Sequence, residues 1–131
     1  MKFQSIRIIT NDIKRAVGFY EKVLTINAKW FTEDFAELST DAITIAIGST
    51  RTLSLFGDDL TRPGGHSNII IEFLVADVDN EYLRIKQISP KIVQKPTTMP
   101  WGNRSLLCSD PDGNVLNFFT PVTSEAIQKF S

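Results

Sequence analysis

Apolar positions follow two rhythms along this chain, and the change from one to the other marks its elements. In "IRIITNDIKRAVGFYEKV" a strand-like run gives way, at an Asx-rich break, to Ile13, Ala16, Val17, Tyr20, Val23 and Leu24 at helical spacing. Lys14, Arg15, Glu21 and Lys22 fill the solvated side of that helix. "IEFLVADVDNEYLRIKQI" repeats the plan with Val78, Tyr82, Ile85 and Ile88 and ends near Ser89 and Pro90. Asn11 or Asp12 is placed to cap the first helix, and Asp12 and Asp77 stand 65 residues apart, close to half the chain. Shorter strand-like segments follow each helix, at 27–33, 35–39 and 42–48, then at 92–98, 104–109 and 115–120. The pattern predicts an α+β fold: one domain, 1–131, made of two βαβββ modules at about 1–56 and 68–122. A turn-rich linker at 57–67 joins them, and a C-terminal tail occupies 123–131.

Strand alternation assigns directions to side chains. Each helix needs an apolar platform, so Ile6 and Ile8 belong beneath the first helix while Ser5 and Arg7 point to the opposite face. By the same reasoning Ile71 and Phe73 lie beneath the second helix, and Ile70, Glu72 and Leu74 face away. Leu116 and Phe118 go to the core; Asn117 and Phe119 share the face of Glu72. Thr44 and Ala46 point the same way in the first module. Between the last two strands, "DPDGN" reads as a hairpin turn: Pro111 presets φ, Gly113 tolerates a positive φ, and Asp110 or Asp112 can bond nearby amides. It lacks the ligand spacing of a calcium loop.

Composition narrows the chemistry. The 131 residues, 42% of them hydrophobic, are enough for a real core. Fourteen basic and 15 acidic residues spread along the chain give a net charge of −1, which offers no field for nucleic acid or anionic lipid. No apolar run is long enough to span a bilayer, and the start has no secretory pattern, so neither nucleic-acid nor membrane partners and a cytoplasmic location are expected. Cys108 is the single cysteine and has no neighbouring group to activate it, so it reads as a small hydrophobe. His66 is the single histidine; its place after Gly64 and Gly65 reads as an exposed loop, with a fallback role as general base. No two-histidine metal centre can assemble within one chain.

"TNDIKRAVGFYEKVL" resembles the opening motif of the vicinal oxygen chelate superfamily, which includes glyoxalase I, extradiol dioxygenases and bleomycin-resistance proteins. "PWGNR" followed by "DPDGNVLNFF" resembles the closing signature of its bleomycin-resistance-like branch. The resemblance covers nearly the whole chain. It implies tandem βαβββ modules forming a curved mixed sheet around a cavity, often as a homodimer. The family's metal enzymes place ligands, usually histidine and glutamate, on the first and last strand of each module. Carried over, those positions fall on Ser5, Thr44, Ile70 and Asn117. Neutral hydroxyls and amides bind a catalytic divalent ion weakly and isoleucine not at all, so no metal and no cofactor are expected.

The remaining candidates divide into walls and anchors. Trp101 in "PWGNR" is either a core residue at a bend or, as the resemblance implies, a ring bordering the cavity; Arg104 is either a surface residue or a ligand contact. Trp30 and Phe31 offer a second aromatic wall, though adjacent strand residues must face opposite ways. Arg7 and Glu72 are charges amid apolar neighbours: they form a structural ion pair, sit in a water-filled groove, or meet polar groups of a ligand. The functional expectation is a metal-independent small-molecule binding protein, sequestering an aromatic or antibiotic-like ligand. Trp30, Phe31, Trp101 and Phe119 would be its walls, and Arg7, Glu72, Arg104 and Asn117 its polar contacts. The alternative is a glyoxalase-like lyase or dioxygenase with a non-standard metal site.

Overall fold

The computed structural model describes residues 4–52, 70–89 and 91–131, so the expected linker 57–67 and His66 lie outside the described residues. The chain divides into two compact units, Met1–His66 and Ser67–Ser131. In the first, β1 (Ser5–Thr10), α1 (Ile13–Leu24), β2 (Lys29–Thr32), β3 (Phe35–Ser39) and β4 (Thr44–Ser49) form a helix on a four-stranded sheet of order β1-β4-β3-β2. In the second, β5 (Ile70–Leu74), α2 (Val78–Ile85), β6 (Lys91–Thr98), β7 (Asn103–Ser109) and β8 (Val115–Pro121) repeat it in the order β5-β8-β7-β6. In both sheets the first and last strands pair in parallel and the remaining pairs are antiparallel. Each unit is a βαβββ module. The segment after residue 122, read from the sequence only as a tail, forms a further short helix, α3 (Ser124–Lys129), capped by Thr123.

Each helix starts where its sequence offers a cap. Asp12 Oδ1 accepts from the Arg15 amide at 3.1 Å, and Asp77 Oδ1 accepts from the Asn80 amide at 3.1 Å, satisfying donors that have no partner inside the helix. Of the two candidate caps at the start of α1, the structure uses Asp12, whose own amide donates to Thr10 Oγ1. One hydroxyl ties α2 to its sheet: Thr120 Oγ1 on β8 accepts from the Val78 amide and donates to the Val75 carbonyl, both at 2.9 Å.

The cores follow from these starts. On α1 the apolar face, Ile13, Ala16, Val17, Tyr20 and Val23, is buried, as are Ile8, Ala36, Leu38, Ile45 and Ile47 on the sheet beneath it. In the second unit Val78 and Ile85 of α2 are buried together with Ile71, Leu106, Cys108, Leu116 and Phe118. Phe73 stacks on Phe118 with ring centroids 5.1 Å apart. Burying side chains of this size is the main term holding either unit together, about 1.5–3 kcal/mol for each large one.

Two turns in the second unit are the same device. In Met99-Pro100-Trp101-Gly102-Asn103 the Gly102 amide donates to the Met99 carbonyl and the Met99 amide to the Asn103 carbonyl. In Asp110-Pro111-Asp112-Gly113-Asn114 the Gly113 amide donates to Asp110 and the Asp110 amide to Asn114 in the same way. Proline in both presets the first turn residue, and each glycine has a positive φ, 95° at Gly102 and 89° at Gly113. Asp110 reinforces its turn by accepting from the amides of Asp112 and Asn114 and from Asn114 Nδ2. The "PWGN" segment, whose role the sequence left open, is thus first a hairpin turn.

The two glycines differ in surroundings, which makes a paired test. A methyl at Gly113 would meet nothing within 4 Å, so Gly113→Ala carries only backbone strain, about 1–2 kcal/mol. A methyl at Gly102 would overlap Thr123 Oγ1, the cap of α3, so Gly102→Ala adds overpacking to strain and is expected to cost about 2–5 kcal/mol. Urea unfolding of both variants measures the difference; equal losses would remove the contact between Gly102 and α3 from the account.

Cys108 gives a second test. Burial pushes its thiol up from 9.0 to about 11, the Ser89 hydroxyl pulling the other way and Asp110 adding to the rise. The folded protein then holds this proton more tightly than the unfolded chain. Its stability contribution is complete below pH 9.0 and falls as the pH climbs toward about 11. Iodoacetamide at pH 8 is expected to leave the native thiol unmodified and to alkylate it promptly in urea; fast native labelling would contradict the burial.

Candidate functional site

The register of β5 against β8 builds the most distinctive cluster. Opposed residues share a face, and Glu72 lies opposite Asn117, which lies opposite Leu107 on β7. Since Ile71, Phe73, Leu116 and Phe118 serve the helix side, this row projects from the other face of the sheet. Asn117 Nδ2 donates to Glu72 Oε2 at 2.7 Å. Ile70 and Leu74 flank Glu72 on β5, half exposed, and Phe119, two residues along β8, is buried beneath an edge-on contact with Phe130 after α3, at 5.0 Å.

Three buried polar atoms on this face have no hydrogen-bond partner among the described residues: Asn117 Oδ1, Ser105 Oγ and Asn103 Oδ1. Asn117 is 8% exposed and Ser105 3%. Ser105 is opposite Phe119, and Asn103 is opposite Pro121, so all three residues belong to the face of Glu72. An unsatisfied buried acceptor costs about 1–3 kcal/mol, and such atoms are rare in folded chains unless water or a ligand completes them. Ser105 and Asn103 went unnoticed in the sequence because their importance depends on β7 register, which no local pattern fixes.

The first unit carries a different surface in the corresponding place. Arg7 is opposite Ala46, which is opposite Glu37, again on the face away from the helix. The Arg7 guanidinium lies 4.8 Å from the centroid of Phe35, Phe35 lies 5.9 Å from Phe31, and Lys29 Nζ lies 5.0 Å from Phe31. Two adjoining rings thus lie between two cations along the face. Phe31 is part of this row. Trp30 is not: it is opposite Ala36, on the α1 side, and lines a shallow depression of about 320 Å³ with Lys14, Phe31, Thr32 and Glu33. Phe35 is the member that sequence reading passed over, although its place at the head of β3 put it in alternation with Glu37.

Trp101 is 65% exposed at the tip of its turn. Arg104 is opposite Thr120, on the α2 side, where its Nε and Nη2 donate to Asp79 at 2.8 and 2.9 Å and its Nη1 reaches Thr98 Oγ1 at 3.4 Å. That hydrogen-bonded guanidinium holds the Asp79 carboxyl below its ordinary range, as Arg51, bonded at 2.7 Å, does for Asp34. Of the eight residues that the sequence nominated, Glu72, Asn117 and Phe119 share one face of the second sheet, and Arg7 and Phe31 share one face of the first. Trp30, Trp101 and Arg104 are placed elsewhere.

The positions that the family resemblance assigns to a metal do not make a donor set. Ser5 is opposite Thr44, whose hydroxyl lies 3.4 Å from Ser39 Oγ. Ile70 is opposite Val115, one row away from Asn117 and Glu72, and its side chain has no donor atom. By the internal repeat the Ser5–Thr44 row corresponds to Ile70–Val115, and Arg7–Ala46 corresponds to Glu72–Asn117. Among the described residues no three His, Cys, Asp or Glu side chains converge as metal ligands do. One carboxylate beside one amide does not fit a resident divalent ion, whose protein sites use three or more such ligands.

Comparison with known proteins gives a consistent lineage. The chain is 27% identical over 125 residues to the uncharacterized protein YraH of Bacillus subtilis (strain 168), covering 91% of this chain and 98% of that one. A glyoxalase/bleomycin resistance protein/dioxygenase family enzyme from Burkholderia phytofirmans PsJN has the same fold, with a TM-score of 0.79 at 17% identity over 93% of this chain and 100% of the other. A glyoxalase-related enzyme from Fulvimarina pelagi superposes with a TM-score of 0.80 at 14% identity, covering 94% and 93% of the two chains. Residues 2–118 match the family pattern itself, and the chain belongs to the Glyoxalase/Bleomycin resistance protein/Dioxygenase superfamily.

Proposed function

We propose that this chain is a small-molecule binding member of its superfamily that works without a resident metal ion, holding an aromatic or antibiotic-like compound. The observation that carries the reading is the row Glu72–Asn117, flanked by Ile70, Leu74 and Phe119, with a buried amide oxygen that has no partner among the described residues. Ligand sites combine apolar lining with a few placed polar groups, and Ile70, Leu74 and Phe119 around Glu72 and Asn117 have that composition. No nucleophile with an adjacent base occurs on this face, so sequestration rather than turnover is the reading. In the same reading the protein is a cytoplasmic homodimer. No helix among the described residues is long and apolar enough to cross a membrane.

The test separates binding from metal chemistry. Protein purified without chelators is expected to contain well under one zinc, nickel, iron or manganese per chain. It should bind members of an aromatic compound panel by calorimetry equally well before and after EDTA treatment. Asn117→Leu, which keeps the volume but removes both amide atoms, is expected to weaken that binding about 10-fold, about 1.4 kcal/mol. A stoichiometric metal lost on Glu72→Ala, or no heat with any compound, overturns the proposal.

A further inference from the structure

Resting on that reading, we infer that the group recognised at the Glu72–Asn117 row is a positively charged nitrogen donor, an ammonium or amidinium, on an otherwise apolar or aromatic compound. The direction of the Asn117 amide is the starting point. A carboxylate only accepts, so the contact at 2.7 Å from Glu72 Oε2 fixes the amide with its NH2 end toward the glutamate. The carbonyl end, Oδ1, is therefore turned away from Glu72, buried and without a partner among the described residues. Glu72 itself is exposed and, among the described residues, has no ion pair.

The row thus presents acceptors, one of them charged, with a neighbouring Ser105 hydroxyl that is also without a partner. An ammonium has three donors and no acceptor, and an amidinium has donors on both nitrogens. Either can complete Asn117 Oδ1 and neutralise Glu72 together, while its carbon skeleton lies against Ile70 and Leu74. A neutral hydroxyl supplies a single donor and no charge. A carboxylate would bring a further set of lone pairs against the glutamate, which repels it. A metal cation would share the charge preference, but among the described residues no three His, Cys, Asp or Glu side chains converge to hold one. The corresponding row of the first unit carries Arg7, Ala46 and Glu37, so the pairing of a carboxylate with an amide belongs to the second unit.

Three probes of one shape test the inference: benzylamine, benzyl alcohol and benzoate, titrated into the full-length protein at pH 7 and followed by amide chemical shifts. Benzylamine is expected to shift the amides of residues 72, 105 and 117 and to bind at least about 10-fold more tightly than benzyl alcohol, with benzoate weaker than either. Glu72→Gln keeps the side chain's shape and removes its charge. It is expected to bring the benzylamine and benzyl alcohol affinities to within about 2-fold of each other, a change in their ratio that a general loss of stability would not produce. Equal binding of benzylamine and benzyl alcohol at these residues, tighter binding of benzoate, or a preference that survives Glu72→Gln overturns the inference and leaves the binding function standing. Silence from all three probes overturns the inference, and silence from the whole aromatic panel overturns the binding function with it.

Discussion

The helix side of each sheet governs what the other side displays. Once Ile71 and Phe73 are committed beneath α2, the period of two leaves Glu72 only the opposite face. The parallel pairing with β8 then determines its neighbour. A slip of one residue in that register would set Leu116 or Phe118 against Glu72 and expose the unit's core. The Val78–Thr120–Val75 hydrogen bonds oppose such a slip, because they bind the start of α2 to a particular residue of β8. The position of an amide beside a carboxylate therefore follows from apolar burial on the other side of the sheet.

The same logic explains why the turns are built as they are. β7 contributes Ser105 to the face of Glu72 only because the turns at both of its ends hold its register. One is Met99–Asn103, the other Asp110–Asn114. Two-fold use of Pro-X-Gly-Asn removes conformational freedom from the unfolded chain and seats a glycine where other residues would be strained. At Gly102 the turn also packs on the cap of α3, and Phe130 at the end of that helix reaches Phe119. The C-terminal helix thus bears on the candidate site through one turn and one ring.

Much of this was legible in the sequence, for identifiable reasons. The helix faces, a cap at Asn11 or Asp12 and the split of Ile71 and Phe73 from Glu72 are local or periodic, and the structure has them where the pattern put them, with Asp12 as the cap. What local pattern could not supply was register between strands distant in sequence. Carrying family positions over put Ile70 with Asn117, yet β5 and β8 pair so that Asn117 meets Glu72. Trp30 and Phe31 were known to diverge, but which of them shared the face of Arg7 depended on the pairing of β2 with β3 and its irregularity after Trp30. Arg104 looked available because Asp79, its partner, is 25 residues earlier on another element. The helix α3 was missed because six residues with a single buried position, Ala126, make too short a pattern to read.

The divergence of the two units bears on how such a protein specialises. A repeated module offers the same row twice, and nothing in the fold requires the two to hold the same chemistry. In the first unit Arg7 has a ring beside it in Phe35 and a methyl opposite it in Ala46, so its row supplies packing and a cation that is already engaged. In the second, an amide replaces that methyl, and a carboxylate replaces the guanidinium. Replacing Asn117 by an apolar residue would satisfy the core rules better, because it would remove a buried acceptor whose desolvation costs free energy on folding. A position where folding alone favours an apolar side chain but the chain carries an amide is where a ligand's contribution is most economically sought.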